Sequence, residues 1–109
     1  MIARTWHAHA TPAKADDYAA HFTGAVAPAL KQLAGHRGAF LMRREVGGEV
    51  EFVALTLWES RASIEAFAGT DIGRAHVEPE GQAALSRFDD FATHYEVAFT
   101  SVDAAGTCP

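Results

Sequence analysis

The sequence predicts a ferredoxin-like α+β domain with the element order βαββαβ and a four-stranded antiparallel sheet. Two alternating segments, 38–46 and 49–58, flank Gly47-Gly48, and a glycine pair between such segments is typical of a hairpin turn. The second of these segments runs directly into Ser60, a residue type that begins helices. A further alternating segment lies near each end of the chain, and helical spacing follows the first and third strands. These elements, in this order, define the fold.

The first strand is predicted over residues 1–10 and leads into a helical region. Thr11 is placed to cap the first helix, and Pro12 suits its first turn. Gly24 and Pro28 interrupt the helical pattern, so a break is expected near them. One apolar stripe follows the region at spacings of four, four, four and three, and it consists of Tyr18, Phe22, Val26, Leu30 and Leu33.

The second half of the chain repeats the helix-then-strand order. A helix is predicted over 60–69, and a further helix starts at Pro79 and runs to Phe88. Alternating residues predict the fourth strand over 90–100. The domain is therefore placed at residues 1–100, and residues 101–109 are expected to form a flexible tail.

The third strand has two apolar faces. Val53, Leu55 and Leu57 lie on one face at the strand period of two. The other face carries Phe52, Ala54, Thr56 and Trp58. A chain of 109 residues buries a limited share of its own surface, so a second copy is the expected cover for one face. The sequence therefore predicts a homodimer.

Composition excludes several classes of partner. The net charge is −5, and the longest basic run is Arg43-Arg44, which Glu45 follows, so nucleic acid is not expected. No apolar run reaches the ~20 residues of a membrane helix, so no membrane association is expected. The single cysteine, Cys108, cannot form an internal disulfide, and the cytoplasm is the expected compartment.

Histidines are the main candidates for chemistry. His7 and His9 share one face of the first strand, and the antiparallel fourth strand is expected to bring His94 close to His7. A His7/His94 pair beside Trp58 and Thr56 forms a pocket in which an imidazole removes a substrate proton. The alternative is that both imidazoles hydrogen-bond and orient the sheet. No ligand motif indicates a metal site, so none is expected.

Other side chains have two interpretations each. Trp58 is either a substrate wall or a core residue. Trp6 has the opposite parity to His7, so it faces the partner subunit if His7 faces the pocket. Arg44 shares a face with Phe40 and either holds an anion or pairs with an acidic residue. His76 lies at the mouth of any cleft between helices and sheet, as a lid residue or as exposed surface.

Four short stretches, spread over residues 1–99, resemble the antibiotic biosynthesis monooxygenase-like family. They are Ile2-Ala-Arg-Thr-Trp-His7, Thr56-Leu-Trp-Glu-Ser60, Ala66-Phe-Ala-Gly69 and His94-Tyr-Glu-Val97. The resemblance implies a dimeric α+β barrel, in which two four-stranded sheets pack together and helices cover the outside. It also implies one of two activities: oxidation of aromatic phenols by oxygen without metal or flavin, or haem degradation.

The resemblance extends to single residues. Trp58 matches the strand-end tryptophan of the actinorhodin-type oxygenases, whereas Ala54 and Arg44 stand where that group has an asparagine and a histidine. In the haem-degrading branch the corresponding tryptophan position is Phe67 here, and His76 lies about where the histidine belongs. The asparagine of that branch falls near Trp6 or His7.

The leading hypothesis is cofactor-independent oxidation of a small phenolic or quinonoid molecule. His7 or His94 deprotonates the phenol, Trp58 stacks on the ring and Arg44 steadies the anion. Two alternatives stay open: a non-redox aromatic-binding or cyclase-like module, and a haem-binding or haem-degrading protein. The remaining residues expected to contact the substrate are Thr56, Phe40, Phe67 and His76.

Overall fold

An antiparallel sheet with helices on one face organises the chain in the computed structural model, which describes residues 1–101. Residues 102–109, most of the expected tail, lie outside this described part. The elements are β1 (Ile2–Ala10), α1 (Pro12–His21), a π-helical segment (Phe22–Val26), α2 (Ala27–Lys31), β2 (His36–Val46), β3 (Glu49–Trp58), α3 (Arg61–Ala68), α4 (Pro79–Ala84), β4 (Arg87–Phe88) and β5 (Thr93–Glu96). The predicted α+β class and ferredoxin-like order are confirmed. Within the described residues, no helix combines the length and the apolar character needed to cross a membrane.

β1 is the central strand of the sheet. It pairs antiparallel with β3 along its whole length, from Ile2 to Ala10. β2 pairs with the other edge of β3 through the predicted hairpin. Gly47 and Gly48 form its turn with φ values of 56° and 81°, as a two-residue turn of type I′ requires.

The last strand differs from the prediction. Two short strands, β4 and β5, pair with the free edge of β1 instead of one strand over 90–100. Between them the chain bonds to a turn upstream of α4. The amide of Ala92 donates to the carbonyl of Gly73, and the amide of Ala75 donates to the carbonyl of Asp90, both over 2.8 Å. These bonds use backbone groups that a continuous strand needs for its own ladder.

The helices show the expected break and one early ending. The π-helical segment contains Gly24, and Pro28 has no N–H to donate to the Gly24 carbonyl, so the α-helical pattern fails there. The last helix ends at Ala84 rather than at the predicted Phe88. The amide and the hydroxyl of Ser86 both donate to the carbonyl of His9, over 2.8 and 3.0 Å, which draws the chain into the sheet.

Alternation along the strands separates two faces of the sheet. The helix-covered face carries the buried, even-numbered residues of β1 and β3. The other face, here called the bare face, carries Val53, Leu55 and Leu57, which are half-buried. Phe40 and Met42 extend it and are 42% and 44% exposed. This is the face that the predicted homodimer covers with a second copy, and the dimer stays a prediction.

The start of β2 depends on a glycine. Gly35 has a φ of 87°, and a Cβ atom there lies 2.5 Å from the Cβ of Ser63 on α3. We expect Gly35→Ala to lower the free energy of unfolding by about 1–3 kcal/mol, since an alanine is strained at this φ. Gly24→Ala is the matched control, because a Cβ there meets no atom within 4 Å. Urea denaturation measures both, and equal losses in the two variants contradict the assignment.

Candidate active site

A cavity of about 270 Å³ lies between the helix-covered face of the sheet and the helices. Even-numbered residues of β1 and β3 form its floor, and α1, the π-helical segment, α2, α3 and the chain before α4 form its walls. Its wall is mainly apolar and rich in rings, which come from Trp6, Tyr18, Phe22 and Phe67. The cavity therefore suits an aromatic ligand.

Arg4 brings a buried positive charge to the cavity wall. The residue is 6% exposed, and its position opposite Thr56 in β3 places it on the helix-covered face. Its Nη2 donates to the carbonyl of Arg74 over 3.0 Å, and its Nε is buried without a hydrogen-bond partner among the described residues. The guanidinium also lies 5.4 Å from the centre of the Phe67 ring. Burial lowers the pKa of Arg4 from its ordinary value, and the guanidinium stays charged at neutral pH.

Trp58 is a core residue and acts on the cavity through Thr56. Its ring is fully buried and packs 6.0 Å, centre to centre, from Phe67, and it does not line the cavity. The Trp58 Nε1 donates to the Thr56 Oγ1 over 2.8 Å. Because this oxygen accepts from Trp58, the Thr56 hydroxyl hydrogen is available to donate to a ligand. Thr56 thus lines the cavity, and Trp58 lies in the core, which is the second of its two interpretations; substrate binding by either residue stays a prediction.

Two histidines line the cavity. His76 packs edge-on against Phe67 with ring centres 5.5 Å apart. His21 contributes from the end of α1, and its Nε2 lies 3.6 Å from the Oε1 of Glu78. Glu78 therefore engages His21, whereas no ion pair with a carboxylate engages His76 among the described residues. The predicted position of His76 at the cleft, together with Phe67, agrees with this geometry.

The expected His7/His94 pair is not formed. His7 stands opposite Val53 in the sheet, so its ring is on the bare face, where it is 45% exposed and 3.9 Å from Asp89. His94 stands opposite Arg4 and so shares the helix-covered face. Its Nε2 is buried without a partner among the described residues. The two histidines lie on opposite faces because His94 pairs with Arg4, and Arg4 and His7 have opposite parity along β1.

Arg44 and Phe40 also lie away from the cavity. Both are on the bare face, opposite Glu51 and Leu55 of β3. Arg44 forms its ion pair with Glu51 through Nε and Oε1, which agrees with the acidic-partner interpretation. Neither residue lines the cavity, because pairing with odd-numbered residues of β3 places both on the face opposite the helices, and their contact with a substrate stays a prediction.

Trp6 and Arg4 of β1 and Tyr18 of α1 line the cavity together. With His7 on the bare face, Trp6 lies in the cavity wall instead of facing a partner subunit, and its Nε1 donates to the carbonyl of Asp89 over 2.7 Å. Tyr18 lines the same wall, and burial raises its pKa to about 12. Arg4 was missed by sequence reasoning. The signal that could have identified it is its position: Arg4 lies between Ile2 and Trp6 on the same face of the first strand, where a charged residue interrupts an apolar face.

Titratable side chains do not gather into a metal site in the described residues. No three His, Cys, Asp or Glu side chains among residues 1–101 converge as a set of ligands. The polar groups that line the cavity are the imidazoles of His21 and His76, the hydroxyls of Tyr18 and Thr56, the Arg4 guanidinium and the Glu78 carboxylate.

The pKa of His94 gives a direct test of this arrangement. Burial lowers the pKa of His94 below its ordinary 6.5, and the positive charges of Arg4 and Arg61 add to the effect. We therefore expect Arg4→Met to raise the pKa of His94, as measured by NMR titration of its ring. The folded state favours neutral His94, so its contribution to stability is present above about pH 6.5 and is lost as the pH falls through the folded value. Arg37→Met is the control, and a wild-type midpoint above 6.5 contradicts the assignment.

Solved structures resemble the chain over nearly its full length. A Bacillus cereus protein assigned to the antibiotic biosynthesis monooxygenases aligns with a TM-score of 0.64 and 16% identity, covering 93% of this chain and 96% of that one. The haem degrader MhuD of Mycobacterium tuberculosis, solved with two haems in its active site, gives 0.59 and 21%, covering 94% and 100%.

A third structure is a monooxygenase from the ActVA-Orf6 gene of Streptomyces coelicolor, in complex with nanaomycin D. It aligns with a TM-score of 0.58 and 16% identity, covering 93% of this chain and 89% of that one. No curated protein matches the sequence. At these identities the structural matches establish the fold. The sequence profile described as antibiotic biosynthesis monooxygenase matches residues 1–79, and the chain belongs to that family.

Proposed function

We propose that this protein is a cofactor-independent monooxygenase that oxidises a small phenolic or quinonoid molecule in the cavity. The observation that carries the proposal is the grouping of an imidazole and a hydroxyl at a cavity otherwise walled by aromatic rings. Family membership supports the reaction class, because the family is that of the antibiotic biosynthesis monooxygenases. The ActVA-Orf6 monooxygenase supports it further, since that structure is a complex of a monooxygenase with a small-molecule ligand, nanaomycin D.

The size of the cavity favours a one- or two-ring substrate. Its volume of about 270 Å³ lies near the lower end of the usual range for ligand pockets, which starts at about 300 Å³. Aromatic walls bind a flat ring by edge and face contacts and keep water away from it.

His76 is the side chain best placed to accept the phenolic proton. It lines the cavity, and the imidazole of a histidine is a suitable general base near neutral pH. Thr56, held by Trp58, can donate to the substrate oxygen. His94 pairs with Arg4 in the sheet and does not line the cavity, and His7 is on the bare face, so each is a weaker candidate for the base.

The proposed reaction balances without an added cofactor. The phenolate donates electrons to O₂, and the ring carbon para to the phenolic oxygen loses its hydrogen and gains one oxygen atom. The phenolic oxygen becomes the second carbonyl of a quinone, and the other atom of O₂ leaves as water. The substrate supplies all the electrons. The task of the protein is to remove the proton and to exclude water from the reactive intermediate.

Oxygen uptake with 1-naphthol tests the proposal. We expect wild-type protein to consume O₂ and to form 1,4-naphthoquinone. His76→Ala should lower kcat/KM by about 100-fold, which is the usual size of a lost general base. His7→Ala is the matched control, because it removes the same side chain from the bare face and should leave the rate unchanged.

Other results of the oxygen-uptake experiment would identify an alternative function or a different base. Substrate binding without oxygen uptake contradicts the oxidation and identifies a non-redox aromatic-binding or cyclase-like module. A loss of uptake in His94→Ala but not in His76→Ala moves the role of base to His94.

Haem is the second candidate ligand, because His76 lines the cavity and the haem degrader MhuD shares the fold. A cavity of about 270 Å³ favours a ligand smaller than a porphyrin ring. We therefore expect titration with hemin to leave its Soret band unshifted. A shift that is lost in His76→Ala contradicts this expectation.

We also infer that a second copy of the chain covers the bare face. Half-buried Val53, Leu55 and Leu57 and exposed Phe40 and Met42 support this assembly, because monomers rarely expose a continuous apolar face of this kind.

A further inference from the structure

We infer that the ligand of the cavity carries a carboxylate as well as an aromatic ring, and that Arg4 is the residue that selects it. This inference rests on the proposed function, because it names the substrate class of the same cavity. Its physical basis is a buried guanidinium for which the described residues provide no counter-ion.

The surface arginines contrast with Arg4. Four of them form ion pairs with carboxylates within 4.0 Å in the described residues: Arg37 with Glu59, Arg43 with Asp16, Arg44 with Glu51, and Arg87 with Glu49. All four are exposed, where such pairs contribute little to stability. Arg4 is 6% exposed, and no ion pair joins it to any carboxylate of residues 1–101. Arg61 and Arg74 also have no such partner in the described residues, but both are exposed, so Arg4 is the arginine at which a missing counter-ion matters most.

The cavity wall supplies no substitute for that counter-ion. Glu78 is the one acidic residue in the described lining, and it lies 3.6 Å from His21. His94 stands opposite Arg4 in the sheet, but an imidazole is either neutral or positive and so cannot serve as a counter-ion. Its lowered pKa favours the neutral form. Arg61 adds further positive charge near His94. An anion that enters the cavity therefore meets a positive field with no competing carboxylate beside Arg4.

The donors of Arg4 suit a carboxylate. Nη2 donates to the carbonyl of Arg74, while Nε is buried with its N–H unused by the described residues. A guanidinium is planar and binds carboxylates through two parallel N–H donors. The rest of the wall is apolar and aromatic, which disfavours a strongly hydrated anion such as inorganic phosphate. The two properties together select an aryl carboxylate.

A ligand with both a carboxylate and a phenol uses two different residues of the cavity: Arg4 binds the carboxylate, and His76 accepts the phenolic proton. Carboxyl groups ionise near pH 4 and phenols near pH 10, so at neutral pH the carboxylate is charged and the phenol is not. The carboxylate then neutralises Arg4 on binding, while the phenolic hydroxyl remains protonated until His76 acts. We therefore expect hydroxyaryl carboxylates to be better ligands than simple phenols.

Isothermal titration calorimetry at pH 7 with 2-naphthoate and 2-naphthamide tests the selection, since the two probes share a shape and differ in charge. Wild-type protein should bind the naphthoate at least about tenfold more tightly, as a charge-assisted hydrogen bond provides. Arg4→Met should weaken naphthoate binding by about 100-fold, the usual effect of removing one partner of a buried charge pair. Arg37→Met is the matched control and should change neither affinity.

Three further measurements keep the test decisive. Retained binding of 2-naphthamide by Arg4→Met shows that its cavity is intact, and Arg4→Lys, which keeps the charge but loses the two-donor geometry, should bind naphthoate with intermediate affinity. Ligand-free Arg4→Met should also melt at a higher temperature than wild type, because an uncompensated buried charge is removed.

Equal affinities of the wild type for the two naphthalenes, or unchanged naphthoate binding in Arg4→Met, overturn the inference. Its failure is distinct from that of the proposed function. Oxygen uptake with 1-naphthol and no preference for the carboxylate supports oxidation alone. Arg4-dependent naphthoate binding without oxygen uptake from 1-hydroxy-2-naphthoate supports the selection alone.

Discussion

The alternation of side chains along β1 is the constraint on which the rest of this structure depends. β1 pairs with β3 on one edge along its full length and with β4 and β5 on the other edge. A shift of one residue in this register exchanges the two faces of the strand. Trp6 and Ala8 would then lose their cover, and His7 would enter the core. Every assignment of a residue to the cavity or to the bare face follows from this register.

The same register places the guanidinium of Arg4, a charge that is unfavourable to bury, at the wall of the cavity. Burying a charge without a partner opposes folding, and most proteins avoid it. Arg4 is held there by one carbonyl of Arg74, by the ring of Phe67 and by the sheet itself. Such a group commonly marks a site whose partner arrives with a ligand, at some expense of stability. The Trp58–Thr56 hydrogen bond complements it, because a fully buried ring fixes the hydroxyl that faces the cavity.

Local chemistry explains which predictions were confirmed. β3 has the predicted bounds, Gly47 and Gly48 form the predicted turn, and Ser60 caps α3, with its Oγ accepting from the amide of Ser63 over 3.2 Å. Each of these depends on neighbours within a few residues. The split of the last strand depended instead on hydrogen bonds to the turn before α4, which join residues about 15 to 20 positions apart in the chain. Sequence patterns carry no information on that competition.

The sequence by itself determined the order of elements, the two apolar faces of β3, the break in the first helical region and the family resemblance. It did so because strand period, helix period, caps and turns are local properties of the chain. Only the tertiary structure decided which face the helices cover, and with it that Arg4, Trp6 and His76 share a cavity while His7, Phe40 and Arg44 do not. The physical reason is that both faces of the sheet are apolar, so the cover of one face by helices is settled by packing among distant segments rather than by the pattern of either strand.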